Sequence, residues 1–106
     1  MSRVFQKGVY KTPVQPEAVR TDFPGFSFGT FTDPPGQIWE NFSHETDEFV
    51  VVAEGQMEIE VAGASTLCGP GDLVRIPAHA NHTLRTLSGN GSVWHYGYGF
   101  FGGAHG

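Results

Sequence analysis

At 106 residues, 39% of them hydrophobic, the chain has the length and the core-forming content of one domain. A formal charge of −5, with six basic residues scattered at positions 3, 7, 11, 20, 75 and 85, opposes a polyphosphate partner and argues against nucleic acid. A single cysteine, Cys68, excludes an internal disulfide, and no apolar stretch forms a secretion-signal core or approaches the roughly 20 residues that span a bilayer, so a soluble, cytoplasmic protein with no membrane partner is expected.

Residues 1–25 carry Pro13, Pro16, Pro24 and Gly25, which predicts an extended N-terminal arm with at most a short strand near Val9-Tyr10. Phe26, Phe28 and Gly29 to Thr32 alternate as a strand, closed by the turn chemistry of Asp33-Pro34-Pro35-Gly36. A second strand is predicted over 37–44, with Ile38, Glu40, Phe42 and His44 on one face and Trp39 on the other. Glu45-Thr46-Asp47 bends the chain into a valine-rich strand from Glu48 to Ala53. Glu54-Gly55 then reads as a tight hairpin turn into a strand in which Met57, Ile59 and Val61 alternate with Glu58 and Glu60. Gly63-Ala64 turns into Ser65 to Cys68, Gly69-Pro70-Gly71 makes a corner, and Leu73 to Ile76 is stopped by Pro77. Strands over 82–87 and 93–101 complete the set, and residues 102–106 read as a flexible tail. Strands recurring at this spacing predict an all-β sandwich or closed barrel over residues 26–101.

Chemistry gathers in two runs. His44 and Glu48 flank the bend at 45–47, where the β-branched residues that follow disfavour a helix and let both side chains point the same way across the bend. His82 arrives from a distant segment, after the Gly71-Asp72 corner, a short strand and the Pro77 turn. Two imidazoles and a carboxylate from separate strands can converge inside a small barrel on one divalent transition metal.

These runs resemble the two motifs of the cupin superfamily. The first motif has the form His-x-His, three or four residues, Glu, six residues, Gly; the second has Gly, five residues, Pro-x-Gly, two residues, His. Glu48 to Gly55 and Gly71 to Pro77 match those spacings, and His44 and His82 fall on ligand positions. The resemblance implies a small single-domain β-barrel of the double-stranded β-helix, or jelly-roll, type. It also implies His44, Glu48 and His82 as ligands of one metal ion, with Gly55, Gly71 and Pro77 as its structural turns. Phe42 departs from the motif by standing where the first histidine is usual. His79 replaces the glycine of the Pro-x-Gly turn, and Thr86 takes the place of an asparagine that can follow the last ligand.

Two outcomes follow from Phe42. Either the remaining two-histidine, one-carboxylate triad holds Fe, Mn, Ni or Zn with several positions open, or Phe42 fills an apolar, metal-free pocket. Glu40, two residues before Phe42, ranks below the triad as a ligand because it lies about 6.6 Å further along the strand. Asp72 and Pro77 read as turn residues, and His79 as a solvated residue near the second motif. Trp94, Tyr96, Tyr98 and Phe100 form an aromatic face that lines either an apolar pocket or a subunit contact. His95 restores the missing ligand only if it faces the lumen. Arg75 and Arg85 fall on outward positions.

The function that the resemblance implies is a small metalloenzyme of oxygenase or isomerase type, acting on a small oxygen-bearing organic molecule. The alternative is a metal-free ligand-binding or sensor cupin without turnover. A structural protein with incidental histidines is a weaker third reading, and a homodimer is expected in each case.

Overall fold

Phe49, Val50, Val51 and Val52 are all fully buried. Side-chain alternation permits this only in a strand covered on both faces. The computed structural model, which describes residues 4–102, builds such a cover from nine strands and one helix: β1 (Phe5–Gln6), α1 (Pro16–Asp22), β2 (Gly29–Asp33), β3 (Ile38–Phe42), β4 (Asp47–Glu54), β5 (Met57–Val61), β6 (Ala64–Cys68), β7 (Leu73–Ile76), β8 (His82–Thr86) and β9 (Ser92–Gly99). They form two antiparallel sheets, ordered β1-β7-β4-β9-β2 and β3-β8-β5-β6. Val50, Val52, Val74, Ile76 and Trp94 of the first sheet meet Met57, Ile59, Val61 and Leu84 of the second in the central core. This is the all-β jelly-roll expected. No helix among the described residues is long and apolar enough to cross a membrane.

The outer face of β4 is covered by the N-terminal segment, and here the sequence expectation needs correction. Residues 4–25 are not simply an extended arm. They hold β1, which pairs with β7 (Phe5↔Val74), and α1, while Val9-Tyr10 is not a strand. Proline misled because Pro16 sits at the start of the helix, where a missing N–H breaks no bond. Val19 is fully buried, and Phe23 stacks on Phe49 with ring centroids 4.3 Å apart. Asp72 fastens the segment further: its carboxylate accepts from the backbone N–H of Gly8 and of Gly69 at 2.8 Å each and from Lys7 Nζ at 3.1 Å. Burial pushes that carboxyl up, but these donors outweigh it and hold it below its ordinary value. Of the predicted tail, residues 103–106 lie outside the described residues.

The predicted hairpin at Gly55 is also overturned. β4 pairs with β7 and β9, while β5 pairs with β6 and β8, so Gly55 carries the chain from one sheet to the other. Its φ of +82° and its closeness to the Gly91 carbonyl, 2.2 Å from where a Cβ would stand, explain the glycine. The tight hairpin lies one turn later, between β5 and β6. There Ala62 and Gly63 have φ of 50° and 88°, the positive pair that a type I′ turn demands.

A bulge in β3 is the third departure. Trp39 pairs with Leu84 and Phe42 with His82, so three steps along β3 match two along β8. The extra residue is Asn41, left-handed at φ 58°, with its N–H donated to Thr83 Oγ1 at 3.0 Å. The extra residue turns Trp39 inward beside Phe42 and leaves Ile38 and Glu40 exposed.

Candidate metal centre

His44 lies just beyond β3, Glu48 is the second residue of β4 and His82 is the first of β8. The two motif loops are stitched together by backbone. The His79 N–H donates to the His44 carbonyl at 2.7 Å, and Asp47 accepts from the Ala78 N–H at 2.8 Å and the Phe101 N–H at 2.9 Å. Asp47, read from sequence only as part of a bend, thus ties β4 to the turn leading to His82.

The three side chains converge. Glu48 Oε1 stands 3.2 Å from His82 Nε2 and 3.6 Å from His44 Nε2, and one donor atom from each residue falls within 4.8 Å of the others. Glu48 and His82 are buried, while His44 is partly open to the surface. His82 Nδ1 is 3.0 Å from the Ala80 carbonyl. A carbonyl can only accept, so Nδ1 carries a proton, and Nε2 faces Glu48 with a lone pair in the neutral ring and with an N–H in the imidazolium. Burial alone pushes the His82 imidazole down, but the Glu48 carboxylate and the Ala80 carbonyl hold it above its ordinary value.

The chemically telling atom is Glu48 Oε1, fully buried and without a well-formed hydrogen bond among the described residues. A buried carboxylate oxygen in that state is costly, and flanking imidazole nitrogens with free lone pairs would repel it unless a proton or a cation lies between them. The donor set therefore fits a divalent transition ion, which takes imidazole nitrogen and carboxylate oxygen together.

Above the triad is a cavity of about 140 Å3, walled by Phe31, Trp39, Phe42, Leu84, Trp94 and Tyr98. The aromatic face of β9 is therefore turned inward at Trp94 and Tyr98. The Tyr98 ring stands edge-on to His44 at 4.8 Å, and burial, with Glu48 and Tyr96 nearby, pushes its phenol up to about 12. Phe42 is 41% exposed at the rim and does not plug the cavity. Trp39, expected on the far face, is brought in by the Asn41 bulge, and Asp33 Oδ2 accepts the indole N–H of both Trp39 and Trp94 at 2.9 Å. No sequence signal marked Asp33 beyond its place in a turn. Larger clefts of about 290 and 340 Å3, beside Arg20 and beside Glu54, gather no comparable donors.

The remaining candidates do not join the triad. Glu40 is exposed on the outer side of β3, as the bulge dictates. His95 lies behind the first sheet, opposite Val51, bonded to Thr30 Oγ1 at 2.8 Å and stacked on Phe28 at 5.3 Å, so it restores no ligand. His79 is exposed, with a φ of 69° that explains why glycine suits the position. Gly71 and Pro77 occupy the corner before β7 and the turn after it. Arg85 pairs with Glu58 at 3.1 Å, and Arg75 lies over the rings of Phe23 and Phe101.

Comparison with known proteins adds a family. The family model described as "Cupin domain" matches residues 29–96. Among solved structures, an RmlC-like cupin from Shewanella frigidimarina superposes with a TM-score of 0.64 at 18% identity, covering 69% of this chain and 64% of its own. The present chain thus spans slightly under two thirds of that protein's length. KdgF from Halomonas sp. gives a TM-score of 0.64 at 23% identity, over 72% of this chain and 70% of its own. The Cupin_2 domain of an XRE family transcriptional regulator from Enterobacter cloacae gives 0.64 at 26% identity, over 70% and 80%. None of the curated proteins compared with the chain matches it.

Proposed function

The chain belongs to the cupin domain family, and on that premise we propose that His44, Glu48 and His82 hold one divalent transition ion, Fe, Mn, Ni or Zn, in a metalloenzyme of oxygenase or isomerase type. Its substrate is a small oxygen-bearing organic molecule. The buried Glu48 Oε1, which has no well-formed hydrogen bond among the described residues, carries this reading. When bound, such an ion supplies Lewis-acid polarisation of substrate oxygens. The chain's own residues do the rest: Ala80 orients His82 through Nδ1, the aromatic walls exclude water, and the neutral Tyr98 hydroxyl offers a proton-bearing donor beside the triad.

A second reading, a sensor without turnover, has one observation in its favour: a domain of this fold in a transcriptional regulator is among the similar structures. The metal-free version of that reading needs a blocked site, and the exposure of Phe42 at the rim speaks against it. Elemental analysis tests the centre. About one equivalent of metal is expected in the purified protein, lost in His82→Ala and in Glu48→Gln. A folded wild-type protein that takes up none of the four ions after reconstitution overturns the proposal, and oxygen uptake with candidate substrates separates enzyme from sensor. A homodimer in a cytoplasmic setting belongs to the same reading; a monomer at micromolar concentration by light scattering would count against the dimer.

A further inference from the structure

Both tryptophans of the chain face the cavity beside Glu48, and both have committed their single hydrogen-bond donor elsewhere. Trp39 Nε1 and Trp94 Nε1 each donate to the same oxygen of the buried Asp33 at 2.9 Å. The indoles therefore offer a ligand only carbon and π surface, and Phe31, Phe42 and Leu84 add no polar atom. The nitrogen and carboxylate atoms of the lining are gathered in one place, with the His44, Glu48 and His82 donors within 4.8 Å of one another, and the Tyr98 ring stands edge-on to that of His44 at 4.8 Å. Among the described residues no lysine or arginine lines the cavity.

Such a lining selects. A sugar, with hydroxyls all round its ring, would leave several of them unpaired against the aromatic walls. A ligand bearing a carboxylate away from the triad would find no cation. Size sets the scale: beside the triad the pocket, open past the Phe42 rim, offers about 140 Å3, close to the roughly 150 Å3 that takes a single benzene ring, so a second ring has to overhang or displace Phe42. Three protein donors on one ion leave neighbouring positions open, which suits two adjacent oxygens better than one.

Resting on the metal centre proposed above, we infer that the cavity is selective for one planar six-membered ring carrying two adjacent oxygen donors, of the 1,2-dihydroxybenzene class. The oxygens turn toward His44, Glu48, His82 and the Tyr98 hydroxyl, and the ring lies against the indole and phenyl walls. Asp33 is a positioning residue in this arrangement, holding both indoles through their N–H groups.

The two indoles also report on the site. Protein reconstituted with redox-silent Zn(II), its metal content measured before and after, is titrated while tryptophan fluorescence is followed. 1,2-Dihydroxybenzene is expected to quench saturably, with 1,3-dihydroxybenzene, 2,3-dihydroxynaphthalene and glucose each at least about tenfold weaker. Phe42→Ala, a change at an exposed rim position, is expected to admit the two-ring diol while retaining metal. Equal binding of glucose or of the two-ring diol by the wild type overturns the inference, as does a metal-loaded protein whose fluorescence ignores 1,2-dihydroxybenzene. Failure of metal uptake, seen before any titration, is the failure of the centre itself and overturns both proposals.

Discussion

Glu48 is buried in surroundings that serve its carboxylate poorly. Its buried Oε1 lacks a proper donor while two imidazoles face it at 3.2 and 3.6 Å. At about pH 9, well above the ordinary imidazole range, Glu48→Gln is expected to leave the metal-free protein as stable as wild type or more stable by about 1 kcal/mol, because a buried carboxyl without a proper donor is removed. Urea unfolding checks this, and a clear loss of stability would mean that the carboxylate is well solvated without metal. His95 makes a separate prediction. Burial holds its imidazole below the ordinary value of 6.5, so the unfolded chain binds that proton more readily than the folded one. The stability linked to His95 is thus fully present above about pH 6.5 and lost as pH falls through its lower folded value. His95→Phe should flatten the fall in unfolding free energy as pH drops below about 6.5, and an unchanged slope would assign the acid sensitivity elsewhere. His82, raised in the fold, acts in the opposite sense: its stability contribution is present at low pH and is lost as pH rises through its folded value.

Among the elements, β3 decides the cavity. Regular alternation puts Trp39 outside and Glu40 inside, and one left-handed residue, Asn41, reverses both. Asn41→Val is expected to destabilise the protein by about 1–2 kcal/mol, the cost of a left-handed L-residue, and more because Val is β-branched and gives up the Asn41 Oδ1 contact with Asn81 Nδ2 at 3.2 Å. Asn41→Gly should cost far less. The readouts are the chemical-denaturation midpoint and the tryptophan emission maximum; a red shift confined to the valine variant marks exposure of Trp39, and indifference to both substitutions would remove the bulge from its role. β4 and β8 were readable from sequence, because a valine run between turn residues and a strand opening on His82 are local patterns. The Asn41 bulge was not readable, since asparagine at a surface position carries no mark of its φ. Helix α1 was missed for a related reason: only the contact of Phe23 with Phe49 distinguishes a proline that starts a helix from one that ends a strand.

At the scale of the whole molecule, the three converging residues bridge the two sheets. Glu48 belongs to β4 in one sheet, His82 to β8 in the other, and His44 to the loop between β3 and β4. An ion bound there should therefore stabilise the fold as a unit, by about 2.7 kcal/mol at a free concentration of 100 times its dissociation constant. Thermal melts with and without Zn(II) check this. The upward shift should vanish in His82→Ala, and its persistence there would place the bound ion elsewhere. Asp33 bridges the sheets in the same way, joining Trp39 of β3 to Trp94 of β9.

The amino-acid sequence by itself determined the all-β character, most strand positions and the identity of the three converging donors, because alternation, turn chemistry and motif spacing act over a few neighbouring residues. Only the tertiary structure decided that Gly55 changes sheets where a hairpin was expected, that Trp39 joins the cavity while Glu40 and His95 leave it, and that Phe42 sits at the mouth. Each of these depends on register between strands distant in the chain, and a one-residue slip in register reverses which face a side chain occupies without altering the local pattern.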